Sequence, residues 1–161
     1  MNDEQIRILD DCEKELEKIK EWIKENKFHS NVKFLVSYAV VKSSGSIEVV
    51  FKSMIHDFLS TNCIIETNKF LEKHILDSSA NPTTGLIESF LEKFDGERKG
   101  RFNTLIKGTR QKGELNNLVN LRNDIAHGRD VNSTINNVEN YFNSGRFILD
   151  KLEEVLNNTI V

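Results

Sequence analysis

The sequence predicts an all-α protein, a helical bundle of about five to seven helices, and three observations carry that expectation. Apolar residues recur at three- and four-residue steps along nearly the whole chain. No stretch holds a convincing two-residue alternation, and proline occurs once in 161 residues. Charged residues make up 29% of the chain, mixed in sign, for a formal net charge of −3. Such a balance describes a globular chain with a core, not a disordered tail or a polyanion-coating protein. One helical domain over residues 1–161 is expected at this length.

The elements follow in order. Leu9, Cys12, Leu16, Ile19 and Ile23 form the apolar row of a first helix, capped by Asn2 or Asp3 and ending near "ENKFHSN". Ser30 or Asn31 opens a longer second helix, whose row Val36, Val40, Ile47, Val50, Met54 and Phe58 is broken in the middle by "SSGS". Within it "FLVSYAVV" is β-branched enough for a strand, but its continuation into a helical row favours helix. A third helix is expected from Thr61 or Asn62, burying Ile64, Ile65, Phe70, Leu71 and Ile75 and closed by "DSSANP", where Pro82 marks the break. A fourth runs through Leu86, Ile87, Phe90, Leu91 and Phe94 to Asp95-Gly96, and "RKGRFNTLIKG" is a further turn or short helix. "GELNNLVNLRNDIAHG" reads as a helix stopped by Gly128. The last helix starts after Asn132 or Ser133 and continues through Val155.

Cys12 and Cys63 stand alone, without metal-site spacing, and are expected to be buried thiols in a reducing compartment. The charged N-terminus is unlike a secretory leader, and no apolar run is expected to reach bilayer-spanning length. A cytoplasmic protein without membrane contact is the expectation. His29, His56 and His74 have no metal spacing, so neither a metal nor a cofactor is expected.

The stretch that carries chemistry is "LRNDIAHGRD", residues 121–130, which sets an arginine, an amide, a carboxylate and a histidine directly before a glycine. On an uninterrupted helix Arg122 and His127 point about 140° apart. If the helix stops at Ala126-His127 and Gly128 takes the left-handed cap, His127 can leave the regular face and join Arg122 on one cleft. A histidine there feels the negative end of the helix dipole, which favours its protonated form. A guanidinium beside a titratable imidazole suits phosphate chemistry.

The Arg-polar-x3-His pattern of "RNDIAHG", late in a small all-α domain, resembles the HEPN superfamily (higher eukaryotes and prokaryotes nucleotide-binding). The second helix, "SYAVVKSSGSIEVVFKSMI", is similar to the RiboL-PSP-like branch and sets Glu48 at that branch's acidic position. The resemblance implies a HEPN-like domain acting as a metal-independent endoribonuclease. It implies a homodimer whose two motif helices build one composite site, in a toxin or phage-defence (abortive-infection) setting. Arg122, His127 and Asn123 would then be catalytic, with Ser44, Glu48 and Asp124 supporting them. A possible antitoxin or defence-system partner would mask the cleft. Another branch has a modifiable tyrosine two residues past the histidine; Arg129 stands here instead. A module that binds nucleotide, RNA or protein without turnover is the alternative.

Plainer readings stand beside these. Arg122 and His127 can simply close a helix end, pairing with Asp124 or Asp130, and Asp124 suits an arginine partner better than a catalytic role. Glu48 either orients Arg122 or pairs with Lys52 one turn on. "ERKGRFNTLIKGTRQK", residues 97–112, holds six basic residues against one acid and offers Lys107, Arg110 and Lys112, with Arg129 beyond it, as RNA contacts, and Phe102 for stacking. Trp22 reads as core or dimer packing.

Overall fold

The computed structural model describes residues 1–157, and they form seven α-helices. These are α1 (Asp3–Glu25), α2 (Val32–Ser60), α3 (Ile65–Leu71), α4 (Thr84–Phe94), α5 (Gly96–Ile106), α6 (Arg110–Ala126) and α7 (Ile135–Asn157), with a π-helical turn, Glu72–Leu76, continuing α3. No strand occurs among the described residues, and "FLVSYAVV" is helical.

Local signals set several boundaries. Asn2 and Gln5 form a reciprocal capping box at the start of α1. Thr83 caps α4 by accepting the Leu86 N–H, and Asp95 caps α5 through the Glu97 and Arg98 N–H groups. The Oγ1 of Thr134, rather than Asn132 or Ser133, accepts the Asn137 N–H at the start of α7.

Four helices make the centre. α2 lies between α1, α6 and α7, with Ala39, Val40, Ile47, Val50, Phe51 and Ile55 fully buried against them. α1 and α2 form an antiparallel hairpin: Gln5 bonds Ser53 at 2.9 Å near one end, and Glu15 takes Lys42 at 3.0 Å and the Tyr38 hydroxyl further along. α7 runs antiparallel to α1, with Arg146 on Asp10 and Glu13 at 2.9 and 2.7 Å and Lys20 on Glu139. α6 and α7 form a second hairpin in which Ser144 donates to Glu114 and Gly145 lies against Leu115 and Ile47. A Cβ on Gly145 would come within 2.8 Å of Ile47 Cδ1, so glycine permits this close crossing.

α2 runs unbroken for 29 residues through "SSGS", whose Ser43, Ser44 and Ser46 are buried where the neighbouring helices approach. Three expectations are corrected. The third helix starts at Ile65, after Asn62 takes a left-handed φ of 62°, and its row faces outward: Ile64, Ile65 and Phe70 are exposed, and Ile75 alone of the predicted set is buried. Cys12 is buried, and burial pushes its thiol pKa up, but Cys63 is exposed; both are free. Finally, α2 is by length and composition long and apolar enough to cross a bilayer. Half of its most apolar stretch is buried inside the bundle, so its apolarity serves the core.

Candidate functional site

α6 positions the motif. Its core face, Leu115, Leu118 and Val119, is fully buried, and Arg122 follows one turn on, half-buried near the helix end. The helix closes with a full Schellman motif: Arg129 N–H reaches the Asp124 carbonyl at 2.9 Å and Gly128 N–H the Ile125 carbonyl at 3.0 Å. Gly128 has φ +70°, the left-handed cap expected of it. His127 is thereby the last residue before the chain turns away, and it is exposed.

Asn123 is held from a direction that the sequence did not reveal. The Asn81 side-chain amide donates to Asn123 Oδ1 at 3.1 Å, and Arg122 Nη1 approaches the same oxygen at 3.4 Å. One oxygen therefore links the motif's arginine to the loop before α4. That loop is fastened to α2 as well: Lys52 donates to the Ser78 carbonyl at 2.6 Å, and Glu48 Oε1 accepts the Ala80 N–H at 3.0 Å. Asn81 had no signal beyond its place beside the only proline. Its role depends on a contact across 42 residues, which periodicity does not encode.

Glu48 is mostly buried and pairs with Lys52 at 3.4 Å. Of its two sequence readings, the Lys52 pairing is the one observed, though not on a solvent-facing surface. No bond joins Glu48 to Arg122 among the described residues; its tie to the motif runs through the Ala80–Asn81 backbone. Ser44 is buried in the packing surface of α2. Asp124 pairs with Arg129 at 2.9 Å, and that pair is the arginine contact it was suited to.

Four of the six cations in residues 97–112 are paired with acids just outside the run. Lys112 pairs with Glu88 at 3.0 Å, Arg110 with Glu114 at 3.2 Å, and Lys99 with Glu92 at 2.6 Å. Arg98 is buried, with Asp95 at 2.8 Å, the Leu156 carbonyl at 2.9 Å, the Val155 carbonyl and the Phe58 ring as neighbours. Lys107 is exposed near Lys112, at a surface depression that also includes Glu88. Phe102 is fully buried, and this corrects its assignment as a stacking surface: it faces the core on the α5 row with Ile106. No cluster of metal-ligating side chains is present among the described residues.

The site stands on an all-α domain, seven α-helices among the described residues. The model of one family, RiboL-PSP-HEPN, matches residues 7–158. The chain belongs to that family. No curated protein and no solved structure matches it.

Proposed function

We propose that this domain is an endoribonuclease of the metal-independent kind, cutting RNA at a site composed from two copies of α6. The observation that carries the reading is the end of α6. There a Schellman turn leaves His127 open to solvent, while Arg122 and Asn123 sit five and four residues earlier on α6, tied through Asn123 to Asn81.

The chemistry follows from the residue types. A neutral His127 takes the proton of a ribose 2′-hydroxyl as its oxygen attacks phosphorus. The bond from phosphorus to the 5′-oxygen breaks, and that oxygen takes a proton from the imidazolium of the second chain. Arg122 braces the non-bridging oxygens with its planar fork as charge builds on them. The products are a 2′,3′-cyclic phosphate and a 5′-hydroxyl. Each chain has one such histidine, so two chains supply both proton transfers and homodimerisation belongs to the proposal. A cytoplasmic toxin or antiviral effector, held in check by a partner protein, is the setting this activity suits.

Purified protein incubated with mixed RNA in EDTA tests the reading. Cleavage is expected, with loss of about two or more orders of magnitude on Arg122→Ala and on His127→Ala separately. Equal activity in both variants would sink it. Nucleotide or RNA binding without cleavage by the native chain would leave a binding module instead.

A further inference from the structure

At the end of the bundle that carries His127, the turn between α1 and α2 gathers aromatic rings and unpaired cations, though no motif drew attention to it. Three pairings place this corner. Lys20 meets Glu139, so Glu25 at the end of α1 and Ile135 at the start of α7 lie at one level, each about 6–8 Å further on by helix rise. The α6–α7 hairpin brings the end of α6 to that same level. The α1–α2 hairpin brings the start of α2 there too. His127 and the α1–α2 turn therefore share one end of the molecule.

The turn reads "KENKFHSNVKF", residues 24–34, with Lys24, Lys27 and Lys33 against Glu25. All three lysines are exposed, and none is in an ion pair among the described residues; Lys33 lies over the Phe34 ring at 4.9 Å. Phe28 is completely exposed and Phe34 is 62% exposed. His29 stacks edge-on against Trp22 at 5.3 Å and accepts the Asn31 N–H at Nδ1, which fixes the turn around Phe28. Isolated exposed apolar groups need no explanation, but two aromatic rings interleaved with three cations outside any ion pair form a patch of definite chemistry. Rings stack on unpaired bases of any identity, and lysines track the phosphates between them. Helical protein partners have aromatic anchors of their own but no regular negative charge for the lysines to follow.

We infer that this corner is a platform for single-stranded RNA, with Phe28 and Phe34 stacking bases and Lys24, Lys27 and Lys33 holding the backbone of a strand that leads to His127. The inference rests on the nuclease reading for its substrate, and it adds where the strand lies.

The 161-residue chain carrying His127→Ala, which would leave the strand whole, is titrated with a fluorescent unstructured RNA of roughly 12 nucleotides, inside the site sizes such surfaces occupy. Adding Phe28→Ala and Phe34→Ala together is expected to weaken binding at least about tenfold. Adding Lys24→Gln, Lys27→Gln and Lys33→Gln should flatten the salt dependence of log Kd by about 2. Circular dichroism and light-scattering mass are expected to stay unchanged, since all five side chains are on the surface. Unaltered RNA affinity in both variants would overturn the platform. A drop in mass with RNA binding retained would overturn it too, and would make the corner a subunit contact. If native protein cuts RNA in EDTA and the corner variants cut and bind equally well, the platform falls and the nuclease stands. If the native chain does not cut, yet binds RNA through Phe28 and Phe34, the nuclease falls and the platform stands.

Discussion

Two regions of this molecule gather basic residues, one conspicuous in sequence and one not, and the structure treats their charges differently. Residues 97–112 carry six cations within sixteen positions, yet helix geometry places Glu88, Glu92, Asp95 and Glu114 against four of them. Residues 24–34 carry only three lysines, one at the end of α1, one in the turn and one at the start of α2, all exposed and none in an ion pair among the described residues. Charge counted along a chain does not measure charge available to a ligand. Cations along a packed helix meet acids one turn away and on neighbouring helices, while those where two helices meet at an exposed turn are left to solvent.

The comparison can be broken most forcefully at Arg98. Its replacement by Ala removes a buried guanidinium and leaves Asp95 and the carbonyls near the end of α7 without it. The expected cost is about 3 kcal/mol or more, read as a lowered denaturation midpoint. A loss under about 0.5 kcal/mol would show the guanidinium to be unimportant for stability and would return Arg98 to the pool of available cations.

A smaller effect is expected at Asn81. Its change to Ala removes the bond to Asn123 and should cost about 1 kcal/mol of stability. RNA cleavage should fall further than that loss of folded protein explains. Unchanged turnover would show that Asn123 needs no support from the loop.

Arg110→Gln with Lys112→Gln sharpens the contrast directly. Both cations already have carboxylate partners, so RNA affinity should change by less than about threefold and the salt slope hardly at all. A flattening equal to that of the three corner lysines would erase the difference between the regions.

The mildest test concerns the hairpin that presents the corner. The Tyr38 hydroxyl, foremost, and Lys42 hold the Glu15 carboxyl below the usual carboxylate range, and Glu15 in turn raises the pKa of Tyr38. A carboxyl whose folded pKa is depressed contributes stability above its unfolded pKa and loses it as pH falls through the folded one. Native protein and Glu15→Gln should therefore differ by up to about 1 kcal/mol at neutral pH and converge in acid, measured by urea titration at several pH values. A gap that persists below the carboxylate range would assign the effect to packing.

Most of the helices were legible because their cause is local. Asn2 and Gly128 each act within four residues, and the α1 and α7 rows need only a 3.6-residue period to be seen. Errors arose where distance or crowding decided. Ile64, Ile65 and Phe70 look like core, but the left-handed turn at Asn62 aims them outward. At the site, Arg122, Asn123 and His127 were visible because they share one helix end. Asn81 lies 42 residues away, and Phe102 was misassigned because neighbouring charges hid its place on a buried row.

Gly128 has one more implication. The imidazole's address is set by a neighbour that takes no part in chemistry, since a side chain with a Cβ is strained at φ +70°. In a saturation library screened for activity, position 128 should tolerate little besides asparagine, and its losses should mimic those at 127 while the chain remains folded. A blueprint transplanting this centre to another bundle must therefore copy the bend as well as the groups it presents.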